Sequence, residues 1–257
     1  MGAKQEYPHL EKTDEGITIL LSNNWKDENQ NLFETDRITI PQGRPVCLVG
    51  CNGIGKTTVM EEIGDTIRRL MDARNAKDER ENNPFAGIFR RDDEKPAGAY
   101  YVMFDKDSNF TVFDPKKGGE AWGFDSDMSR FFGSMSSNGE SLVRKLNGAF
   151  GAIGIFAKKA IAQKIPFFLF LDDVDAGTSI DVIAEIREEV NGLSGFLRSK
   201  GAEHYIVIAS NSFELIRGMD CICVRDMSNV KFDDYDSYRE FVLKTRKEKE
   251  KRDGVKK

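Results

Sequence analysis

The stretch GCNGIGKTT, residues 50–58, follows the apolar run PVCLV and precedes a segment in which apolar residues recur at helical spacing. It satisfies the pattern G-x-x-x-x-G-K-[ST] between a strand and a helix, which is typical of a phosphate-binding P-loop. Glycines allow successive backbone N–H groups to turn towards phosphate oxygens, and the N-terminus of the following helix adds partial positive charge. Lys56 would reach the β- and γ-phosphates, and the Thr57 hydroxyl would ligate Mg²⁺. The stretch therefore predicts binding of a nucleotide together with Mg²⁺.

A second motif, FFLFLDDVDAG at residues 167–177, ends a buried apolar strand with two aspartates. Asp172 is predicted to hold Mg²⁺ through water, and Asp173 to orient or deprotonate an attacking water molecule. Two aspartates can also simply end a strand and begin a turn. In combination with the P-loop, they favour a site that hydrolyses the bound nucleotide.

Composition limits the class of protein. Of the 257 residues 39% are hydrophobic, and 38 basic and 43 acidic side chains give a formal charge of −5. This charge provides no overall positive field for nucleic acid, although a local basic patch would still allow contact. The cysteines form no CxxC pair, so neither zinc nor a disulfide framework is predicted, and no apolar run is long enough to span a bilayer. We therefore expect a cytoplasmic protein without a membrane partner.

Patterning along the chain predicts alternating strands and helices. One compact unit, residues 1–230, carries a charged insert at about 75–98 and is followed by a charged C-terminal helix or tail at 231–257. Residues 105–127 are predicted to form a turn-rich insert. The predicted strands are 17–22, 37–50 with an interruption, 99–104, 165–173, 204–210 and 221–226, and the predicted helices are 57–73, 140–163, 179–199 and the tail.

The centre of the P-loop is more specific than the general pattern. Asn52, Gly53 and Thr58 resemble the G-x-N-G-x-G-K-[ST]-T form of ABC-type ATPases. The acidic strand and the following DDVDAGTSID, residues 172–181, are similar to the Walker B motif and D-loop of the soluble SMC/RecF-like branch of that superfamily. The resemblance covers roughly residues 15–225 and implies an α/β P-loop NTPase head. Such a head has a mostly parallel core sheet flanked by helices, with an N-terminal antiparallel β portion.

The resemblance also implies which residues contact ATP. The segment SSNGE resembles the family's signature, which binds the γ-phosphate of ATP held by the opposite subunit. A head-to-tail homodimer with ATP between the subunits is therefore expected, and Asp181 would be the D-loop acid that crosses the interface. The nucleotide-binding positions are Gly50, Asn52, Gly53, Gly55, Lys56, Thr57 and Thr58, and the signature positions are Ser137, Asn138, Gly139 and Glu140.

Two positions at the expected catalytic centre depart from the family's pattern. Asp173 stands where the family most often has Glu, and Asn211 stands where it has a switch histidine. An asparagine can hydrogen-bond a phosphate or water but cannot carry a proton at neutral pH. These departures predict slow, gated hydrolysis or ATP sensing.

Three further features leave alternatives open. Asp105 stands where the family's Q-loop approaches Mg²⁺, but it could equally be an ordinary strand-end aspartate. Phe33 or Trp25 could stack on adenine, or either could be a core or surface aromatic. The basic residues of the tail could follow a nucleic-acid backbone, but the acidic residues between them favour a solvated or frayed helix.

The spacing between Lys56 and Ser137 is too short for coiled-coil arms, so a compact head is expected. It would dimerise with ATP and regulate a separately encoded partner, such as a nucleic-acid enzyme or effector, and the resemblance suggests DNA repair or antiviral defence. A first alternative is an ATP sensor or scaffold that does not hydrolyse. A second is the nucleotide-binding subunit of a membrane transporter, which is disfavoured because SSNGES lacks the usual Gly-Gly-Gln.

Overall fold

The structure is a computed structural model in which part of the chain is described. It describes residues 10–21, 33–72, 99–104, 110–114, 119–123 and 138–254. Within these ranges, the backbone alone is described for residues 68–72, 104, 110–114, 119–123 and 138–147.

Strands and helices alternate along the described chain. The strands are β1 (Leu10–Thr13), β2 (Gly16–Leu20), β3 (Arg37–Pro41), β4 (Pro45–Val49), β5 (Tyr100–Phe104), β6 (Phe110–Asp114), β7 (Gly119–Gly123), β8 (Phe167–Asp172), β9 (His204–Ala209), β10 (Asp220–Cys223) and β11 (Asn229–Val230). The helices are α1 (Lys56–Asp72), α2 (Asn138–Gln163), α3 (Ile180–Ser199), α4 (Phe213–Ile216) and α5 (Tyr235–Arg252).

The main sheet has eight strands in the order β11-β10-β4-β9-β8-β5-β6-β7. The five strands from β10 to β5 are parallel, and β11, β6 and β7 pair antiparallel at the two edges. Strands β4, β8 and β9 are buried along their whole length. This explains why they are continuous apolar runs, because a parallel strand covered on both faces has no polar side.

Two layers cover the main sheet. On one face, α2, α3, α4 and α5 pack against the strands, with Ile186 and Val190 of α3 in the core. On the other face, Ile63 of α1 lies in a second cluster together with Ile17 and Ile38 of the antiparallel sheet β1-β2-β3. The prediction of a mostly parallel sheet flanked by helices, with an N-terminal antiparallel portion, is confirmed.

The register of the central strands brings two predicted motifs together. Leu48, near the end of β4, lies opposite Ala209 of β9, and Ala209 lies opposite Asp172 at the end of β8. The β4–α1 loop and the acidic motif therefore leave the same edge of the sheet, with β9 between their strands. Ligands of parallel α/β sheets bind at this carboxyl edge.

Several elements differ from the sequence-based expectation. The segment predicted as a turn-rich insert contains β6 and β7, and β1, β11 and the short helix α4 were also missed. Strand β7, GEAWG, contains two glycines and no run of β-branched residues, so its pairing with β6 determines its structure rather than its own propensity. In the part of the chain that is described, no helix is long and apolar enough to cross a membrane.

Candidate functional site

The loop between β4 and α1 requires glycine at three positions. Gly50, Gly53 and Gly55 have φ angles of 147°, 69° and 110°, which residues with a side chain rarely adopt. Ile54 is buried and its N–H donates to the Cys51 carbonyl at 3.2 Å, which anchors the middle of the loop. Helix α1 then begins at Lys56, so the N–H groups of its first turn lack partners within the helix. Such a turn attracts anions.

The Lys56 side chain folds back over this loop. Its ammonium group donates to the carbonyls of Gly50 at 3.2 Å and Cys51 at 3.4 Å, and to the Asn211 amide oxygen at 2.7 Å. Burial lowers the pKa of Lys56, while the negative charge of nearby Asp173 acts in the opposite direction. Among the described residues, no carboxylate lies within ion-pair distance of this ammonium group. Its positive charge is thus available to an anion at the loop.

Two oxygen-bearing side chains are hydrogen-bonded to each other beside the loop. The Thr57 hydroxyl donates to the carboxylate of Asp172 at 3.2 Å, and Asp172 is buried at the end of β8. Magnesium is commonly held by one or two carboxylates together with waters and substrate phosphates. No group of three or more His, Cys, Asp or Glu that could hold a metal occurs in the described ranges. The Thr57 hydroxyl and the Asp172 carboxylate are the two oxygen groups beside this loop that could contribute to a Mg²⁺ site.

Asn211 connects the loop lysine to the second aspartate. Its amide oxygen accepts from Lys56, and its amide nitrogen donates to the Asp173 carboxylate at 3.2 Å. Asp173 has a φ angle of 53°, in the left-handed region, and its N–H donates to the Ala209 carbonyl at 3.0 Å. The structure thus places Lys56, Asn211 and Asp173 in one hydrogen-bonded chain.

A third acid of the same motif was not singled out from the sequence. Asp175 accepts hydrogen bonds from the Ser210 hydroxyl and the Asn211 N–H, both at 3.0 Å. Burial raises the pKa of Asp175, while these hydrogen bonds act to lower it. Asp175 therefore fixes the backbone that carries Asn211. The signal that could have revealed it is the third aspartate in DDVD.

The C-terminal helix α5 also belongs to the site. Cys51 N–H donates to the Thr245 hydroxyl oxygen at 3.1 Å, the Lys249 ammonium donates to the Asn52 carbonyl at 3.2 Å, and the Tyr238 hydroxyl donates to the Asn211 carbonyl at 2.9 Å. The expectation of a solvated or frayed helix is therefore wrong for this face of α5. An open groove of about 870 Å³ lies between the helix and the loop, and its lining includes Asn52, Asn211, Phe213, Tyr238 and Val242.

The remaining predicted residues are distributed as follows. Phe33 is 2% exposed in the core beside α1, so its ring cannot stack on adenine, and that alternative is wrong. Asp181 is exposed in the first turn of α3, where a hydrogen bond with Ser179 lowers its pKa. Thr58 is half-buried in α1. Asn138, Gly139 and Glu140 begin α2, and Ser137, Asp105 and Trp25 lie outside the described residues.

In comparisons with known proteins, no family model matches the chain, and no curated protein is significantly similar to it. The functional assignment therefore depends on the arrangement of the chain's own residues.

Proposed function

We propose that this protein binds Mg-ATP at the β4–α1 loop and hydrolyses it slowly. The observation that carries the proposal is the convergence of five side chains at one edge of the sheet, supplied by three separate segments. These side chains are Lys56, Thr57, Asp172, Asp173 and Asn211. A lysine, a hydroxyl with a carboxylate, and a second carboxylate are the groups that phosphoryl transfer from a nucleotide uses.

The loop supplies phosphate binding. Its backbone N–H groups and the start of α1 would hold the phosphates, and Lys56 would neutralise the β- and γ-phosphates. Thr57 and Asp172 would hold Mg²⁺, which neutralises charge on the phosphates when it is bound. Lys56 and Thr57 lie in the first turn of α1, and Asp172 ends the buried strand β8.

Asp173 and Asn211 would act on the attacking water. Asp173 is the group that can accept a proton, and the hydrogen bond from Asn211 orients its carboxylate. Asn211 itself cannot take up a proton at neutral pH, so it positions groups without transferring a proton. Slow turnover follows from this division of roles.

The resemblance to soluble ABC-type heads suggests how hydrolysis would be used. ATP would join two copies of the chain, with residues 137–140 of each copy contacting the γ-phosphate on the other. Ile180, at 70% exposure, and Asp181 lie in the first turn of α3, at the position that would cross the interface. The dimer would regulate a separate effector, for which a nucleic-acid enzyme in DNA repair or antiviral defence is the proposed class.

The test measures ATP binding and phosphate release with purified protein and Mg²⁺. Lys56→Ala should weaken ATP binding by roughly 10- to 100-fold, since it removes a charge-assisted contact. Asp172→Asn should abolish phosphate release. Lys158→Ala, an exposed lysine on α2, is the matched control and should leave both unchanged. A wild-type protein that binds no ATP would refute the proposal.

A second candidate, an ATP sensor or scaffold, is favoured by the amide at Asn211. It predicts that ATP binds and joins two copies of the chain without release of phosphate. The same assay separates the two candidates, because turnover abolished by Asp172→Asn would exclude a purely binding role.

A further inference from the structure

Lys249 of α5 contacts the phosphate-binding loop although it belongs to none of its motifs. Its ammonium nitrogen lies 3.2 Å from the Asn52 carbonyl oxygen. It also fills the space beside Gly53, where an added Cβ atom would lie 2.6 Å from it. Lys56 donates to the carbonyls of Gly50 and Cys51. The two ammonium groups therefore bind three consecutive carbonyls of one loop.

The position of Lys249 is determined by the packing of α5. Thr245 lies one turn earlier on the same face of the helix, is 2% exposed, and accepts the Cys51 N–H. At the other side of the helix, Glu248 pairs with Arg225, which also pairs with Glu34. The helix start is fixed by a capping box between Asp234 and Ser237. The packing and the cap of α5 therefore hold the Lys249 ammonium group next to the loop.

The charge of Lys249 is not neutralised by its described neighbours. The acids that flank it on α5 have other partners, since Glu248 pairs with Arg225 and Glu250 with Arg246. Asp253, one turn further on, pairs with Arg252. No ion pair joins Lys249 to any described carboxylate. The Asn52 carbonyl is neutral whereas a phosphate oxygen is anionic, so a bound phosphate can replace the carbonyl as the partner of the ammonium group.

We propose that Lys249 binds the terminal phosphate of ATP held by the same chain. The inference rests on the proposed nucleotide site. Lys56 reaches the β- and γ-phosphates in a loop of this type, and Lys249 contacts the next carbonyl along that loop. A lysine extends over four methylene groups and rotates freely, so its ammonium can leave the carbonyl for a phosphate oxygen without movement of α5. Lys249 thereby distinguishes a triphosphate from a diphosphate.

The experiment compares Kd values for fluorescent ATP and ADP analogues in Mg²⁺. Lys249→Met keeps the aliphatic stem and removes the charge. We expect it to weaken ATP binding about 10-fold and ADP binding by less than about 2-fold. Lys249→Arg should restore most of the ATP affinity. Lys251→Met is the matched control, because Lys251 is exposed two residues away on another side of α5 and should leave both affinities unchanged.

Three outcomes would overturn the inference. If Lys249→Met binds ATP as tightly as the wild type while Lys56→Ala still binds it more weakly, the role of Lys249 is rejected and the nucleotide site is retained. Equal losses for ATP and ADP with a lowered Tm would assign Lys249 a structural role. A wild-type protein that binds neither nucleotide would reject both the site and the inference.

Discussion

The backbone at Asp173 gives a physical reason for the acid found there. Its φ angle of 53° is left-handed, a conformation that Asp and Asn adopt more readily than residues with longer side chains. A Glu at this position would carry a strain of about 1 kcal/mol. The shorter acid is therefore matched to the turn, and the hydrogen bond from Asn211 holds its carboxylate in place.

Asp173→Asn separates the role of the carboxylate from that of the turn. Asn tolerates the same left-handed backbone, so the free energy of unfolding should change by less than about 1 kcal/mol. If Asp173 is the proposed general base, its loss should slow phosphate release by roughly 100-fold or more, while ATP still binds. Single-turnover phosphate release and urea unfolding measure the two effects. Turnover at the wild-type rate would remove Asp173 from the catalytic role.

The structural role of a single residue can be predicted from sequence when neighbouring residues determine it. The glycines of the loop are recognisable because their spacing within a few residues creates the motif, and their positive φ angles follow from it. Phe33 shows the opposite case. Whether an aromatic ring is buried or stacks on a base depends on strands far away in the chain, and its burial between α1 and the antiparallel sheet cannot be read from its neighbours.

Helix α1 packs so closely on the main sheet that one of its positions has no room for a side chain. A Cβ atom added to Gly64 would lie within van der Waals overlap of the Tyr101 hydroxyl and 3.2 Å from the ring carbon that bears it. Gly64 thus leaves room for the Tyr101 side chain of β5 beneath the helix that follows the β4–α1 loop. A helix in this position keeps Lys56 and Thr57 at the carboxyl edge of the sheet.

Gly64→Ala should lower the free energy of unfolding by about 1–3 kcal/mol, because overpacking outweighs the gain in helix propensity. Gly192→Ala in α3 is the matched control, since Gly192 is exposed and its Cβ would meet nothing within 4 Å. That control should raise the stability by about 0.5–1 kcal/mol. Urea unfolding measures both. A stabilised Gly64→Ala variant would show that α1 can shift away from Tyr101.

Helices and strands were predictable from sequence to different degrees. Strands β4, β8 and β9 are buried apolar runs and could be located, whereas β6 and β7 form by pairing at the sheet edge. The role of α5 could not be inferred. Thr245 and Lys249 contact the loop across 194 and 197 residues of chain, and their own neighbourhood is a run of charged residues typical of a solvated helix.

The main sheet contains buried thiols whose ionisation opposes folding. Cys47 and Cys221 lie opposite each other in β4 and β10, and both are buried. Burial raises the pKa of Cys221 from 9.0 to about 12, and that of Cys223 from 9.0 to about 11. The pKa of each thiol is therefore higher in the folded state than in the unfolded state. This stabilising contribution is therefore complete below pH 9.0 and is lost as the pH rises through the folded-state pKa.

The free energy of unfolding should therefore fall between about pH 9 and about pH 12, by roughly 1 kcal/mol per thiol at about pH 10. Cys221→Ala should show a smaller fall, whatever its stability at neutral pH. Urea unfolding at about pH 8 and pH 10 measures the difference within each variant. An identical pH dependence in the variant and the wild type would contradict the assignment to Cys221.

For the whole chain, the proposed dimer predicts a change in mass. The 29.0 kDa protein should double in mass when ATP and Mg²⁺ are added, most clearly in Asp173→Asn, which would retain the nucleotide. Lys56→Ala should remain a monomer under the same conditions. Light scattering after size-exclusion chromatography measures the mass. A monomer at saturating ATP would contradict the dimer and leave nucleotide binding as a separate question.

The three hydrogen bonds of Lys56 limit which anions can bind its ammonium group. A ligand must compensate for the bonds to the carbonyls of Gly50 and Cys51 and to the Asn211 side chain. Inorganic phosphate or sulfate offers one anionic group to the loop, whereas a nucleoside triphosphate offers three phosphate groups that can each make contacts. Abundant small anions of the cell should therefore compete poorly, and the protein would respond to the nucleotide pool rather than to the background of free phosphate.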